Sequence, residues 1–442
     1  MRRRGALSWK PLGVMALAAM AIAPATPTFA AGFAIFEQGA KPMGMNNAVT
    51  AQGDDPSTIF FNAGGLAFLD KPAGQVGATY ITETRANFHG ANPFPGEGVT
   101  ASEHKLGLFP PHAYAVWPLT PTWKVGLGIE TPFGLQTRWN NPDTFAGRYL
   151  STLAAIKDVD LNPTIAWQVA PNFGIGVGFI ARFSEVTLER DVPAVDPFTF
   201  QVVNVARAKL KSKYDTGYGW DVGILHKATP WFSWGASYRS RITVDYNNGT
   251  AVLFPRTSGD PTFDAIAAHS LPFNTDIPVN TQIKHPDNAN LGFAFKVMPD
   301  LTVEVDGNYW GWSTFAFVPL DFPTGQLPSS VRVEHWKNTY NGRIGLNWAV
   351  NPTWQLRAGY SYEQTPQPIE NVDPLLPDAN RNGFSVGIGY SGGSFTADLG
   401  VLYLFFADRT RTTTFPDDPL GPFFGTYRTN ALLIGLTLGF HG

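Results

Sequence analysis

The sequence predicts an all-β fold: a 14-stranded antiparallel transmembrane β-barrel with an N-terminal hatch, or plug, in its lumen. Three observations predict it. Short turns fall at Pro118–Trp123, Ala170–Phe173, Lys227–Phe232, Val297–Leu301, Ala349–Trp354 and Ser391–Ser394. Each joins two stretches in which apolar residues alternate with small or polar ones, and longer polar segments rich in Pro and Asp separate the pairs. No hydrophobic helix interrupts the pattern. Six short turns joining seven long-looped hairpins make fourteen strands, with the short connections on one side as in outer-membrane barrels.

An export signal precedes the strands. Arg2, Arg3 and Arg4 form a positive start, Leu12 to Ala23 an apolar run, and Thr28-Phe29-Ala30 a small-residue cleavage site. The apolar run is too short for a retained anchor and is broken by Pro24 and Pro27. Cleavage takes away Arg2, Arg3, Arg4 and Lys10 and no acid, moving the formal net charge from −3 to −7. That balance argues against a nucleic-acid partner. The absence of cysteine removes disulfides, thiol catalysis and Cys-based metal sites. The expected organisation is signal peptide 1–30, hatch 31–72 and barrel 73–442.

The approximate strands are 73–89, 103–117, 123–139, 152–169, 173–190, 207–227, 232–248, 279–296, 301–318, 331–349, 354–365, 382–390, 395–410 and 426–440. The last is the clearest. Leu432, Ile434, Leu436, Leu438 and Phe440 form an apolar face, opposite Ala431, Leu433, Gly435, Thr437 and Gly439. One face for lipid and one for the lumen also accounts for a mean hydropathy near zero. Trp117, Trp123, Trp231, Trp234 and Trp354 sit beside the short turns, where indoles favour the membrane–water interface. Residues 31–72 lack clean alternation, yet Phe33, Ile35, Phe36, Ile59, Phe60, Phe61, Leu66, Phe68 and Leu69 are too apolar for a disordered tail. Such a segment must bury itself, and the lumen is the available place.

The chain resembles the outer-membrane transporters of long-chain fatty acids and their aromatic-hydrocarbon relatives (FadL/TodX type). Ala31-Gly32-Phe33 is similar to the mature start of that family. Asp54-Asp55-Pro56-Ser57-Thr58 followed by Asn62-Ala63-Gly64-Gly65-Leu66 resembles its hatch motif, with Ala63 where proline is expected and Gly64 where alanine is. Thr131-Pro132-Phe133-Gly134-Leu135-Gln136-Thr137 and then Phe145-Ala146-Gly147 is the most specific match. Trp336-Lys337-Asn338 leading into Arg357-Ala358-Gly359-Tyr360 and Pro366 is another. The resemblance implies a monomeric barrel, inserted by the barrel-assembly machinery among outer-membrane lipids. No catalytic residue, metal or cofactor is expected, and the sequence leaves open whether a metal binds the loops. Ligand would be captured between loops at roughly 189–210 and 250–278, passed to an internal pocket, and released sideways at a kink in the third strand. In the fatty-acid branch a basic pair at the places of Arg190 and Arg332 looks like the clamp for the substrate carboxylate.

The residues themselves bear on this reading. Pro132 has no N–H for a ladder and Gly134 relaxes the backbone, so a kink is expected unless Pro132 merely lies at the strand's end. A broken wall leaves polar backbone groups that lipid cannot satisfy, so the hatch or water must cover them. Leu253, Phe254 and the stretch Phe263 to Phe273 are apolar in a polar exterior, either a capture groove or packing between loops. Arg190 and Arg332 are either a carboxylate clamp or charges paired with Glu189 or Glu334. The candidate ligand-binding residues are thus Arg190, Arg332, Phe33, Phe36, Phe254 and Phe263. The hatch motif is Asn62, Ala63 and Gly64, and the kink is Pro132, Phe133 and Gly134. Fatty acid and aromatic hydrocarbon both remain open as substrates. A diffusion porin conflicts with a filled lumen. A barrel hydrolase needs an oriented Ser–His pair, and no nucleophile motif stands beside His112, His226 or His285.

Overall fold

The structure is a computed structural model that describes residues 32–416 and 421–442; the export signal read at residues 1–30 lies outside them. The wall has fourteen strands. They are β1 (Ala73–Gly90), β2 (Thr100–Ser102, Gly107–Leu108 and Pro111–Pro118), β3 (Trp123–Glu130 and Gly134–Arg138), β4 (Leu153–Ala170) and β5 (Phe173–Val195). Then follow β6 (Val202–Lys211 and Asp215–Thr229), β7 (Phe232–Arg239 and Ile242–Pro255), β8 (Ile277–His285 and Asn288–Met298), β9 (Leu301–Trp310 and Phe317–Asp321) and β10 (Ser330–Val333 and Thr339–Ala349). The last four are β11 (Trp354–Glu363), β12 (Arg381–Gly392), β13 (Phe395–Phe406 and Arg409–Arg411) and β14 (Gly425–His441). Each strand pairs antiparallel with its neighbours. β14 closes the barrel on β1, paired from Ala73↔His441 to Gly90↔Gly425 with one bulge at Thr84. Closure satisfies the edge groups that lipid would leave unpaired. All six expected short turns are found, and the seven longer connections lie at the other end.

Alternation places the residues. On β5, Val177, Phe179 and Phe183 face outward, whereas Ile180, Arg182 and Ser184 are buried inside. On β14, Leu436, Leu438 and Phe440 are exposed and Ala431, Leu433 and Thr437 buried. The outward side chains are the lipid-facing surface, where a charge near the bilayer centre costs about 2–4 kcal/mol. At the short-turn end Trp117, Trp123, Trp231 and Trp354 are exposed, joined by Trp167, which stacks on Trp123 with centroids 5.5 Å apart. Trp234 instead turns its indole N–H to His226 Nδ1 at 3.1 Å.

The N-terminal segment folds as α1 (Ala40–Gly44), α2 (Thr58–Phe61) and a 3-10 turn (Ala63–Phe68), enclosed by the wall. Inward glycines admit it. A Cβ at Gly126 of β3 would strike Ile59, one at Gly176 of β5 the Ala63 backbone, one at Gly235 of β7 the Thr50 carbonyl, and one at Gly359 of β11 Met45. Polar wall residues bind its backbone. Asp306 of β9 accepts the N–H groups of Val49 and Thr50, each at 3.1 Å, and Glu304 accepts that of Ala51 at 2.6 Å. Asn62 donates to the carbonyls of Thr50 (2.6 Å) and Ile224 (2.9 Å) and accepts the Gly64 N–H (3.0 Å). Proline is not needed at Ala63 for this turn, because the Asn62 side chain already caps it.

Candidate functional site

The third strand breaks inside the wall. Its ladder to β4 runs to Glu130↔Asp160 and resumes at Gly134↔Lys157, so Thr131-Pro132-Phe133 stand out of register. On the other side, the ladder with β2 ends at Ala113↔Ile129; beyond it the Thr131 hydroxyl donates to the Pro111 carbonyl at 3.1 Å, and backbone bonding resumes with the His104 N–H to the Arg138 carbonyl at 2.6 Å beside the bridge Glu103↔Trp139. Pro132 has no N–H to offer a ladder, and Pro110 and Pro111 remove two more donors from the facing stretch of β2. The interruption lies between two paired stretches of β3, not at the strand's end.

The N-terminal segment takes the place of the missing partner. Ala34 bridges Phe133, Ile35 donates its N–H to the Pro132 carbonyl at 2.8 Å, and Gly134 donates to the Phe33 carbonyl at 2.9 Å. Gln38 completes the pairing. Its amide donates to the Thr131 carbonyl (2.9 Å) and its Oε1 accepts the Thr131 N–H (3.0 Å). These contacts answer the accounting that a broken wall demands.

Phe133 points inward into an aromatic cluster. Phe33 lies 5.7 Å from it, 4.9 Å from Trp312, 5.1 Å from Phe315 and 6.0 Å from Trp336, centroid to centroid. The Arg182 guanidinium sits 4.5 Å over the Phe133 ring. Behind it runs a buried ionic chain. Arg182 binds Asp160 bidentately at 2.8 and 2.7 Å, Arg239 binds Glu130 at 2.7 Å, and His285 approaches Asp158 at 2.7 Å. His112 contacts Thr437, and His226 contacts Asn172 and Trp234. None of these histidine partners is a serine.

An apolar cavity of about 80 Å³ adjoins the cluster, lined by Phe33, Val186, Leu188, Ile283, Phe315 and Trp336, with Arg332 and Glu334 at its polar side. A dry cavity of about 150 Å³ is enough for benzene, so ligand entry requires the walls to move. Arg332 does not offer a free charge. Its Nε is 2.5 Å from Glu334 Oε1, and its Nη2 is bonded to Asp373. Arg190 is exposed and, among the described residues, makes no ion pair; Arg332 is its charged neighbour. Val186, Leu188 and Arg190 share one face of β5 by the two-residue period. Exposure rises from Val186 to Arg190 along it, so Arg190 is the solvent end of the row whose Val186 and Leu188 line the cavity. Glu189, on the opposite face, pairs with Lys209 at 2.9 Å.

The remaining candidates lie elsewhere. Phe36 packs on Phe60 (5.5 Å) and Phe61 (5.4 Å) under the Arg343 guanidinium, away from the cavity. The two long loops meet. β6 pairs with β7 from Thr250↔Lys211 to Pro255↔Ala206, burying Leu253 among Ala206, Ala208, Leu271 and Phe273. Phe263 is buried on helix α3 (Pro261–Ser270), whereas Phe254 is exposed. Between β5 and β6, Asp196 accepts the Phe198 N–H at 2.8 Å and the Thr199 hydroxyl at 2.7 Å, bonds that hold its carboxyl below the usual range. That turn presents Phe198 and Phe200 to solvent, Phe200 being 80% exposed. Sequence reading missed Trp312 and Phe315, whose one signal is the loss of two-residue alternation after Trp310.

A closed barrel with an apolar girdle, a filled lumen and a break in one strand defines an outer-membrane transport barrel. The chain belongs to the family described as outer membrane protein transport protein (OMPP1/FadL/TodX), whose model matches residues 21–441. It is an outer-membrane protein. It is 24% identical over 419 residues to the long-chain fatty acid transport protein of Salmonella typhi, covering 90% of this chain and 93% of that one. Its fold is similar to a Pseudomonas aeruginosa FadL homologue, with TM-score 0.77, 22% identity and coverage of 93% and 99%. The toluene transporter TodX of P. putida is also similar, with TM-score 0.67, 14% identity and coverage of 91% and 98%.

Proposed function

We propose that this chain takes up hydrophobic compounds across the outer membrane, long-chain fatty acids first among them, and that residues 31–72 act as its hatch. One observation carries the reading: Phe33 lines the apolar cavity while its carbonyl, with the Ile35 N–H, completes the broken third strand. A ligand entering the cavity must displace Phe33, because about 80 Å³ cannot hold an acyl chain beside it. Displacing Phe33 strains the two bonds that seal the wall. Ligand occupancy and lateral opening at Pro132–Gly134 are therefore coupled through one segment. Release then runs sideways into the membrane, with no energy input beyond the ligand's own partitioning.

The carboxylate assignment falls on Arg190 alone. Arg332 is compensated by two acids, whereas Arg190 stands free at the solvent end of the row whose Val186 and Leu188 line the cavity. Loop capture would use the exposed Phe198, Phe200 and Phe254. The names of the curated relatives support the fatty-acid branch. An aromatic hydrocarbon is the second reading, favoured by the neutralised Arg332. The test is direct binding of oleate and of toluene to the purified protein and to Arg190→Ala. Saturable oleate binding that weakens in the variant is expected. Toluene binding without oleate binding, indifferent to Arg190, would assign the chain to hydrocarbons instead.

A further inference from the structure

A second interruption of the wall lies between β1 and β2, apart from the break in β3. Pairing runs to Asn87↔Ser102, with one further bond from the Glu103 N–H to the Ala86 carbonyl at 3.0 Å, and is regained at Thr82↔Gly107. Between these points β1 bulges at Thr84, where its register with β14 shifts. The facing stretch His104-Lys105-Leu106 forms no ladder with β1. The result is a cavity of about 540 Å³, lined by residues 83–87, 102–105 and Asn140.

Two carboxyl groups lie at its base. Glu83 is 3% exposed and Glu103 5%. Neither takes part in an ion pair among the described residues, and Glu83 Oε1 has no hydrogen-bond partner although it is buried. Every other glutamate buried to this degree in the wall has a partner: Glu130 has Arg239, Glu304 has the Ala51 N–H, and Glu363 has Arg343 and Arg381. Two carboxyl groups buried without a counter-charge are costly to ionise and keep their protons, and a bound cation takes the protons' place.

We propose that this cavity binds a hydrated divalent cation of the Mg²⁺ class. The chemistry selects it. Two carboxylates balance a charge of two. Among the described residues no group of three or more His, Cys, Asp or Glu side chains could hold a metal, so the ion keeps most of its water. Mg²⁺ does so, typically binding through one or two carboxylates. The volume agrees, since water occupies about 30 Å³ each and the cavity exceeds any dehydrated site. Ser102, Asn87 and Asn140 supply hydrogen-bonding groups for that water. Arg85, His104 and Lys105 are exposed at the mouth, where solvent screens their repulsion. The ion would staple two strands that their own backbones leave apart.

The test is thermal unfolding of the purified protein in detergent, titrated with MgCl₂ and with NaCl at matched ionic strength. The wild type gains a saturable rise in midpoint with Mg²⁺ alone. Glu83→Gln/Glu103→Gln shows no such rise, yet without Mg²⁺ it is about as stable as wild type, because the neutral amides replace two carboxyl groups that make no ion pair. An equal rise with NaCl, or an unchanged Mg²⁺ response in the double variant, overturns the site. Mn²⁺ binding followed by electron paramagnetic resonance gives a second readout that needs only the mild Glu103→Gln change. At least tenfold weaker binding is expected there, and unaltered affinity also overturns the proposal.

Discussion

Arg190 and Arg332 are the same residue type, yet the structure gives them opposite circumstances. A hydrogen bond to a charged group contributes about 1.5–3 kcal/mol, so Arg190→Ala should weaken oleate roughly ten- to hundredfold while the fold stays intact. Arg332→Ala should act mainly on stability. It strands Glu334 and Asp373, both nearly buried, and breaking such a pair costs roughly 3 kcal/mol. Its signature is a lowered thermal midpoint; a large loss of oleate affinity with an unchanged midpoint would restore Arg332 as a clamp. The Glu334 partnership was legible because the two residues are neighbours in sequence. Asp373 was not, because it comes from the loop between β11 and β12, and nothing local marks that approach.

At the scale of elements, the β3 break and the N-terminal segment form one device. The chain has no native cysteine, so a disulfide there can be read cleanly. Ala34 and Phe133 are antiparallel bridge partners, a pairing whose Cα separation of about 4.5–5.5 Å falls within disulfide range. Ala34→Cys/Phe133→Cys should block uptake when oxidised and recover when reduced, and oxidation should also weaken ligand binding, because it holds Phe33 in the cavity wall. Uptake through the oxidised form would place the exit elsewhere. Helix α3 offers a second element to probe. Asp260 caps it by accepting the N–H groups of Thr262 (2.7 Å) and Phe263 (3.3 Å), and Pro261 fits the first turn. Asp260→Ala should cost about 1 kcal/mol of local stability, measured as faster proteolysis within 255–277 and no change in global unfolding. The helix was not anticipated, although Asp260-Pro261 is a start signal, because its ten residues lie in a loop judged only by its apolar content. The kink was anticipated from Pro132, since a missing N–H is a local fact. Its sealing by Phe33–Ile35 was not, for that pairing spans about a hundred residues.

For the whole molecule, the proposed reading makes the barrel a carrier rather than a pore. Inward glycines on at least four strands receive the N-terminal segment in close contact. The intact protein should therefore show no steady conductance in planar bilayers, and deletion of residues 32–69 should open one in the nanosiemens range. A silent deletion variant would mean that wall side chains, not the segment, close the lumen.

The strand number, the six short turns and the outward face of each strand were determined by the sequence alone. They rest on a two-residue alternation that each strand enforces locally, lipid on one side and lumen on the other. The tertiary structure decided which buried acid meets which base, which wall breaks are sealed and by what, and how much room is left beside Phe33. The lumen draws polar residues from every strand, and a carboxylate there meets whichever guanidinium the closed register sets at its height. Register and closure belong to the whole barrel, so no stretch of sequence could state those pairings by itself.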